Sequence, residues 1–317
     1  MHETALERTP SWVTTAARII QALPAGRYRA MNLVGGRRSP PFWTSTPADL
    51  GGLEFRCDLR DPLMREVCFT GRYEPQETLL VRRLLAPGMT FVDVGANWGY
   101  FTLYAAHLVG TQGRVIGVEA DPRAWHALRA NVERNALSQV SLFAAAASDV
   151  PGTLSMFTYG HENDDLANFG VTIAATPGAV ARGPCFDVPA RPLDDLLDET
   201  GVGRIDLLKM DIEGGEARAL KGLERRLSDD LIDRILLELH PAYLQHQGET
   251  AERVIAHLMR YSSHVWHIDH TAAAYRLAAT SLRVSTDSLL ASTEGVASLG
   301  PWPHLLWQRE GLSLPVL

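Results

Sequence analysis

Cysteine is scarce in this chain of 317 residues: only Cys57, Cys68 and Cys185 occur. An odd, sparse set is no disulfide framework, and no two of them are spaced as zinc ligands. A reducing compartment, the cytoplasm, is the expectation. Surplus positive charge is lacking too, with Lys+Arg at 30 against Asp+Glu at 37. A net charge of -7 disfavours a protein that grips phosphate backbones, so no nucleic-acid partner is expected. No uninterrupted apolar run reaches the roughly 18 residues of a membrane span. The first residues carry acids and no long apolar stretch, unlike a signal peptide. There is no internal repeat and no low-complexity tract.

What remains is 46% hydrophobic and 21% charged, enough to build a sizeable core. The length fits two domains, or one large domain with decorations. Residues 1–70 are irregular. A helix fits residues 14–23, and the proline- and glycine-rich stretch 35–52 reads as loop. This segment is expected to be an N-terminal extension that packs on, or caps, the domain at 71–317. From residue 77 onward, helical stretches alternate with short apolar runs. Strands are expected at 90–94, 114–118, 140–144, 204–209 and 232–239, with two weaker ones at 264–268 and 305–308. Helices are expected at 77–85, 100–109, 123–135, 193–200 and 250–261, and one follows the fourth strand and runs through 227. That alternation predicts an α/β fold, an open and mostly parallel seven-stranded sheet with helices on both faces. The long interval 145–202 stands out, because long connections in compact domains are usually functional or disordered.

The first expected strand runs into Asp93, Gly95, Asn97 and Gly99. Glycine permits a tight strand-to-helix turn and a close ligand approach, and the helix N-terminus offers free N–H groups. The dinucleotide pattern G-x-G-x-x-G fails at Asn97 and Tyr100, which disfavours an oxidoreductase. The pattern D-x-G-x-N-x-G fits S-adenosylmethionine instead, with Asp93 meeting the cationic end of the ligand. Glu119 closes the second expected strand, where an acid can accept hydrogen bonds from ribose hydroxyls. The competing reading is a tight turn with no ligand, and Glu119 weighs against it.

Several stretches, in order, resemble the FkbM-type methyltransferases. They are GRYEPQE from Gly71, FVDVGANWGYFT from Phe91, GVEADP from Gly117, NVERN from Asn131, ASD from Ala147, and LKMDIEGGE from Leu208. The last, of the form K-x-D-x-E-G-x-E, is the most specific. The resemblance covers about 71–240, and Ala120 stands where the family more often has proline. It implies a class I Rossmann-like fold and S-adenosylmethionine as cofactor. It carries cofactor contacts onto Asp93, Gly95, Asn97, Glu119 and the Ser148–Asp149 turn, and it places Glu74 near the methionine end. Family members mostly methylate hydroxyls of secondary metabolites or sugars, and some methylate nitrogen. The expectation is therefore O-methylation in natural product biosynthesis, with N-methylation of an amine or amide as the alternative. A non-catalytic module that kept the fold is the rival from another class.

Ligands of open parallel sheets sit beyond the carboxyl ends of the strands. Lys209 and Asp211 share a strand face there, as do Glu238 and His240. Lys209 either takes part in the chemistry or pairs with a carboxylate and pins two strands together. His240, just ahead of Pro241, is the candidate general base for an alcohol acceptor. Asp211 or Glu213 either orients it or holds a divalent metal. No compact metal motif stands out, so no metal is part of the expected set. His264, His267 and His270 read as packing or surface residues, and Trp12, Trp43, Trp302 and Trp307 as core or lid anchors. Residues 163–172 line the acceptor pocket or form a solvated loop. The expected partner is a small-molecule acceptor, and a homo-oligomer is compatible with the sequence.

Overall fold

The computed structural model describes residues 7–23, 26–34, 39–158, 172–174, 185–280, 289–292 and 302–314. The first seventy residues contribute β1 (Glu7–Arg8), α1 (Ser11–Ala22), α2 (Arg27–Val34), β2 (Phe42–Ser45), β3 (Glu54–Cys57) and α3 (Pro62–Thr70). β2 lies inside the stretch expected to be loop; it pairs with both β1 and β3 in a small sheet. Its four residues, between prolines, are too short a run to announce themselves by alternation. Specific contacts tie this segment to the rest of the chain. The Asn131 side chain accepts from the Arg56 backbone amide at 2.8 Å and donates to the Trp98 carbonyl at 2.7 Å. Phe55 stacks on Trp98 with ring centroids 4.9 Å apart. Both rings belong to one apolar cluster that also holds Phe91 and Tyr100.

The main domain continues with α4 (Pro75–Leu84), β4 (Thr90–Val94), α5 (Tyr100–Val109), β5 (Arg114–Glu119), α6 (Pro122–Arg134) and β6 (Val140–Ala144). Each boundary has a local cause. Asp121 caps α6 by accepting from the Arg123 amide, and Pro122 takes the first turn, where no N–H is needed. Next come β7 (Ala146–Ser148), β8 (Gly152–Thr158), β9 (Thr172–Ala174) and β10 (Cys185–Pro192). These form a separate four-stranded sheet in the order β7-β10-β8-β9, inside the long interval. Residues 163–171, a candidate acceptor wall, lie outside the described residues.

The chain then runs through α7 (Leu193–Thr200), β11 (Leu207–Met210), α8 (Glu216–Lys221), α9 (Glu224–Ser228), β12 (Arg234–Glu238), α10 (Pro241–His246) and α11 (Ala251–Leu258). It finishes with β13 (Val265–Ile268), α12 (Ala272–Thr280), β14 (Leu290–Ser292) and β15 (His304–Gln308). The single helix expected through residue 227 is two short ones, α8 and α9. They part at Gly222, where a Cβ would meet the Ser148 carbonyl oxygen at 1.9 Å.

The central sheet has the order β14-β13-β15-β12-β11-β4-β5-β6. Its core from β12 to β6 is parallel, and β15 enters antiparallel between β12 and β13. The seven expected strands are all present, and β14 adds an eighth at the edge. Alternate residues feed two faces. Phe91, Val115, Leu207 and Leu236 pack into one apolar cluster, and Val92, Ile116, Leu208 and Ile235 into the other. Burial on both faces is why these strands read as continuous apolar runs. Trp307 is buried in the second cluster, whereas Trp302, expected as an anchor, is 59% exposed. No helix among the described residues is long and apolar enough to cross a membrane.

Candidate active site

β4, β5 and β11 end side by side, and a cavity of about 330 Å³ opens beyond their carboxyl ends. At its floor the chain turns sharply after β4. Gly95 has φ +82°, and a Cβ there would meet the Asp211 carbonyl oxygen at 1.9 Å. The turn is therefore pressed against the β11 loop, and only glycine fits. Asn97 follows at φ 51° and Gly99 at φ 101°, ahead of α5. Both depart from ordinary backbone, and together they aim the start of α5 at the cavity.

Glu119, 8% exposed at the end of β5, holds this turn. Its Oε2 accepts from the Asn97 amide at 2.7 Å, and its Oε1 from the Asp121 amide at 2.7 Å. Burial pushes its carboxyl up to about 7, against the pull of those amides. Asp93, on the same wall, accepts from the Thr102 hydroxyl at 2.6 Å. Burial raises its carboxyl too, opposed by Lys209.

The neighbouring end of β11 brings Lys209, Asp211 and Glu213 to the cavity. Lys209 is 5% exposed. Its Nζ lies 3.4 Å from Asp211 Oδ2, 3.7 Å from Glu74 Oε2 and 4.7 Å from the centre of the Phe101 ring. Burial opposes its charge, but Glu74 and Asp211 outweigh this and hold the ammonium above its usual range. Asp211 is held below the ordinary range because Lys209 and His240 outweigh burial. Lys209 thus has carboxylate partners on two segments. Glu74 sits at a left-handed φ of 41°, and its Oε2 is buried with no hydrogen-bond partner among the described residues. It stands behind Lys209, off the cavity wall.

His240 is also one layer back. It is 4% exposed and absent from the residues lining the cavity. Its Nδ1 lies 2.8 Å from Glu216 Oε1, and its Nε2 lies 3.3 Å from Glu213 Oε2, 3.5 Å from Glu238 Oε1 and 3.8 Å from Asp211 Oδ1. Burial works against the imidazolium, but Glu216, Glu213 and Asp211 lift it to about 9. A general base works best with a pKa near the operating pH, and the ring of acids holds His240 above it. Glu213 does face the cavity. Burial lifts it to about 7, with His240 pulling it down and Asp211 pushing it up. Burial, Asp211 and Glu74 lift Glu238 to about 11, so it is a neutral acid at neutral pH.

Ser148 and Asp149 do not reach the cavity wall. Ser148 donates to Asp149 at 3.1 Å, and Asp149 pairs with Arg218 at 3.0 Å. Ala145, Ala146 and Ala147 line the cavity instead, with Leu154 and Met156 from β8. Pro62 and Leu63, from the first seventy residues, line it as well. Apart from Ala147 none of these apolar residues stood out in the sequence, because apolar side chains carry no chemical signal of a ligand.

Among the described residues, two groups bring potential metal ligand atoms within 4.8 Å of one another: Asp211, Glu238 and His240, and Glu77, His270 and His304. The donor set around the main cavity fits a ligand of two characters. The Glu119 carboxyl beside the glycine turn suits hydroxyls, and Asp93, Asp211 and Glu213 suit cationic groups.

A parallel sheet with a glycine turn after its first central strand and an acid closing the next is the arrangement of class I methyltransferases, for which S-adenosylmethionine is the cofactor. The family model for the methyltransferase FkbM domain matches residues 93–276, more than half of the sequence, and the chain belongs to that family. Relatives include the 31-O-demethyl-FK506 methyltransferase FkbM of Streptomyces tacrolimicus, 32% identical over 161 residues, covering 44% of this chain and 61% of that protein. A protein-L-isoaspartate O-methyltransferase of Triticum aestivum is 31% identical over 159 residues, covering 50% of this chain and 58% of that protein. The chain thus spans about three fifths of the length of these curated relatives. Among solved structures, Aeropyrum pernix fibrillarin with bound S-adenosyl-L-methionine aligns with a TM-score of 0.39 and 15% identity, covering 77% of this chain and 83% of that one.

Proposed function

We propose that the chain transfers a methyl group from S-adenosylmethionine to a hydroxyl of a small molecule, with Glu213, backed by His240, as the proton acceptor. The observation that carries this reading is the position of Glu213: a carboxylate lifted to about 7, on the wall of the cavity, 3.3 Å from His240 Nε2. Enzymes tune a general base toward the working pH, and a carboxyl near 7 is so tuned. S-adenosylmethionine, when bound, supplies an electrophilic methyl group on a sulfonium.

The residues divide by position. Glu119 and the Asn97 turn hold the hydroxyl-bearing end of the cofactor. Asp93 and Asp211 face its cationic end, and Lys209 keeps Asp211 ionised and in place. Glu213 would take the proton that the acceptor hydroxyl gives up on methylation, the cofactor leaving as the neutral thioether S-adenosylhomocysteine. His240 is a positioning residue: its Nδ1 is anchored on Glu216 and its Nε2 holds the Glu213 carboxylate. Pro62 and Leu63 close one side of the cavity, so the first seventy residues act as a cap. The apolar wall of Ala145, Ala146, Leu154 and Met156 excludes water around the acceptor.

The test is incubation with methyl-labelled S-adenosylmethionine and a panel of hydroxylated and amine-bearing small molecules, followed by NMR of the product. A label on oxygen, lost in Glu213→Gln, supports the assignment. A label on nitrogen that survives Glu213→Gln contradicts it, since an amine needs little help with its proton.

A further inference from the structure

Away from the cavity, three side chains from distant parts of the chain meet at one point. Glu77 lies in the first turn of α4, His270 between β13 and α12, and His304 at the start of β15. His270 Nε2 lies 2.6 Å from Glu77 Oε1, and His304 Nδ1 lies 2.8 Å from that same oxygen. The two imidazoles stack with centroids 3.8 Å apart and planes 22° apart. Glu77 is 2% exposed, and its Oε2 has no hydrogen-bond partner among the described residues.

A simple salt bridge explains this poorly. Two imidazoliums stacked face to face repel, and one carboxylate oxygen is shared while the other is left bare in a buried site. A cation among the three groups resolves both points. It lets the rings be neutral, with a nitrogen lone pair each, and gives the carboxylate a partner. The far nitrogen of His304, Nε2, faces Glu238 Oε1 at 3.5 Å. Metal-bound histidines usually donate that second N–H to a fixed oxygen, here one of the Glu238 carboxyl, which fixes the tautomer.

We propose that Glu77, His270 and His304 form a binding site for one first-row transition-metal dication, of which zinc is the type. Two nitrogens and one oxygen suit that class, whereas magnesium and calcium want oxygen alone. Three protein ligands leave a fourth position for water, and His270, with a third of its side chain exposed, gives the ion a way in. The ion clips α4 to the β13–α12 turn and to β15, three segments that only the fold brings together. Gln76 already makes a weaker link of this kind, donating to the Asp269 carbonyl at 3.2 Å.

The full chain, stripped with a chelator, is titrated with zinc chloride by calorimetry, and with copper(II) for electron paramagnetic resonance. One equivalent of zinc is expected, with thermal stability rising as zinc, but not magnesium, is added. His270→Gln should weaken zinc binding by more than about 100-fold, beyond the 10- to 100-fold typical of a merely outer partner. In the unmutated protein, the copper spectrum should show two coordinated nitrogens. The Asp211, Glu238 and His240 group can supply only one, so a single nitrogen overturns the proposal. So does a stripped chain that takes up no zinc, or uptake that His270→Gln leaves unchanged.

Discussion

Glu213 Oε2 lies 3.3 Å from His240 Nε2, and of the two only Glu213 lines the cavity. The imidazole is lifted to about 9 and the carboxyl to about 7. At neutral pH the pair is therefore a cation behind a partly ionised acid.

That order sets a pH profile. Only the ionised form of Glu213 accepts a proton, so kcat/KM should rise with pH through about 7. His240 pulls the Glu213 carboxyl down. In His240→Asn the rising limb should consequently move to higher pH, which a purely structural role would not cause. Glu213→Gln should lower kcat by about 10²–10⁴-fold, the usual worth of a positioned base. Rate profiles of the three proteins check this, and a limb that stays in place in His240→Asn refutes the coupling.

Lys209→Met tests the buried cation. Asp211, Glu74 and Asp93 would lose the ammonium they face, and breaking a buried pair typically costs about 3–5 kcal/mol. The remaining carboxylates escape part of that cost by taking up protons. The deficit in urea unfolding should thus be largest at high pH and shrink as pH falls. A deficit independent of pH would mean the pairing contributes little.

Gly95→Ala is expected to destabilise the fold by roughly 2 kcal/mol or more, combining a strained positive φ with a clash. The added Cβ would meet the Asp211 carbonyl at 1.9 Å, while one at Gly152 meets nothing within 4 Å. Gly152→Ala is the control, and equal unfolding midpoints for the two variants would contradict the account.

The first seventy residues are tied on by Asn131. It is wholly buried and bonded to backbone on both sides, at Arg56 and Trp98. Asn131→Ala leaves a buried donor and acceptor unpaired, at about 1–3 kcal/mol each. Limited proteolysis should then cut near β3 faster than in the wild type. Equal cutting rates would show that the remaining contacts, among them the two hydrogen bonds of Asn135 to the Glu54 backbone, hold this segment.

The parallel strands were legible because each is a short apolar run closed by glycine, proline or acid, as at Val94, Glu119 and Glu238. The glycine turn and Glu119 were legible because turn chemistry is local. What the sequence hid depends on distant pairing. β8 and β10 find each other across an interval with no regular pattern, and β14 joins the sheet only through β13. His270 read as packing because its partners, Glu77 and His304, lie in other segments. His240 was placed correctly at a strand end, but a side chain's depth behind its neighbours is not written in spacing. The Ser148–Asp149 turn, implied at the cofactor by the resemblance, adjoins the cavity-lining Ala147, and its Asp149 pairs with Arg218.

Calorimetric titration with S-adenosylmethionine, on the wild type and on Glu119→Ala, tests the central claim most directly. The wild type should bind one equivalent. Glu119 would contribute charge-assisted bonds to the cofactor, and it also holds the Asn97 and Asp121 amides. Its loss should weaken binding by about 2–4 kcal/mol, roughly 30- to 1,000-fold, in a protein that still unfolds cooperatively. No heat of binding from the wild type at millimolar cofactor, or an unchanged affinity in folded Glu119→Ala, would contradict the account.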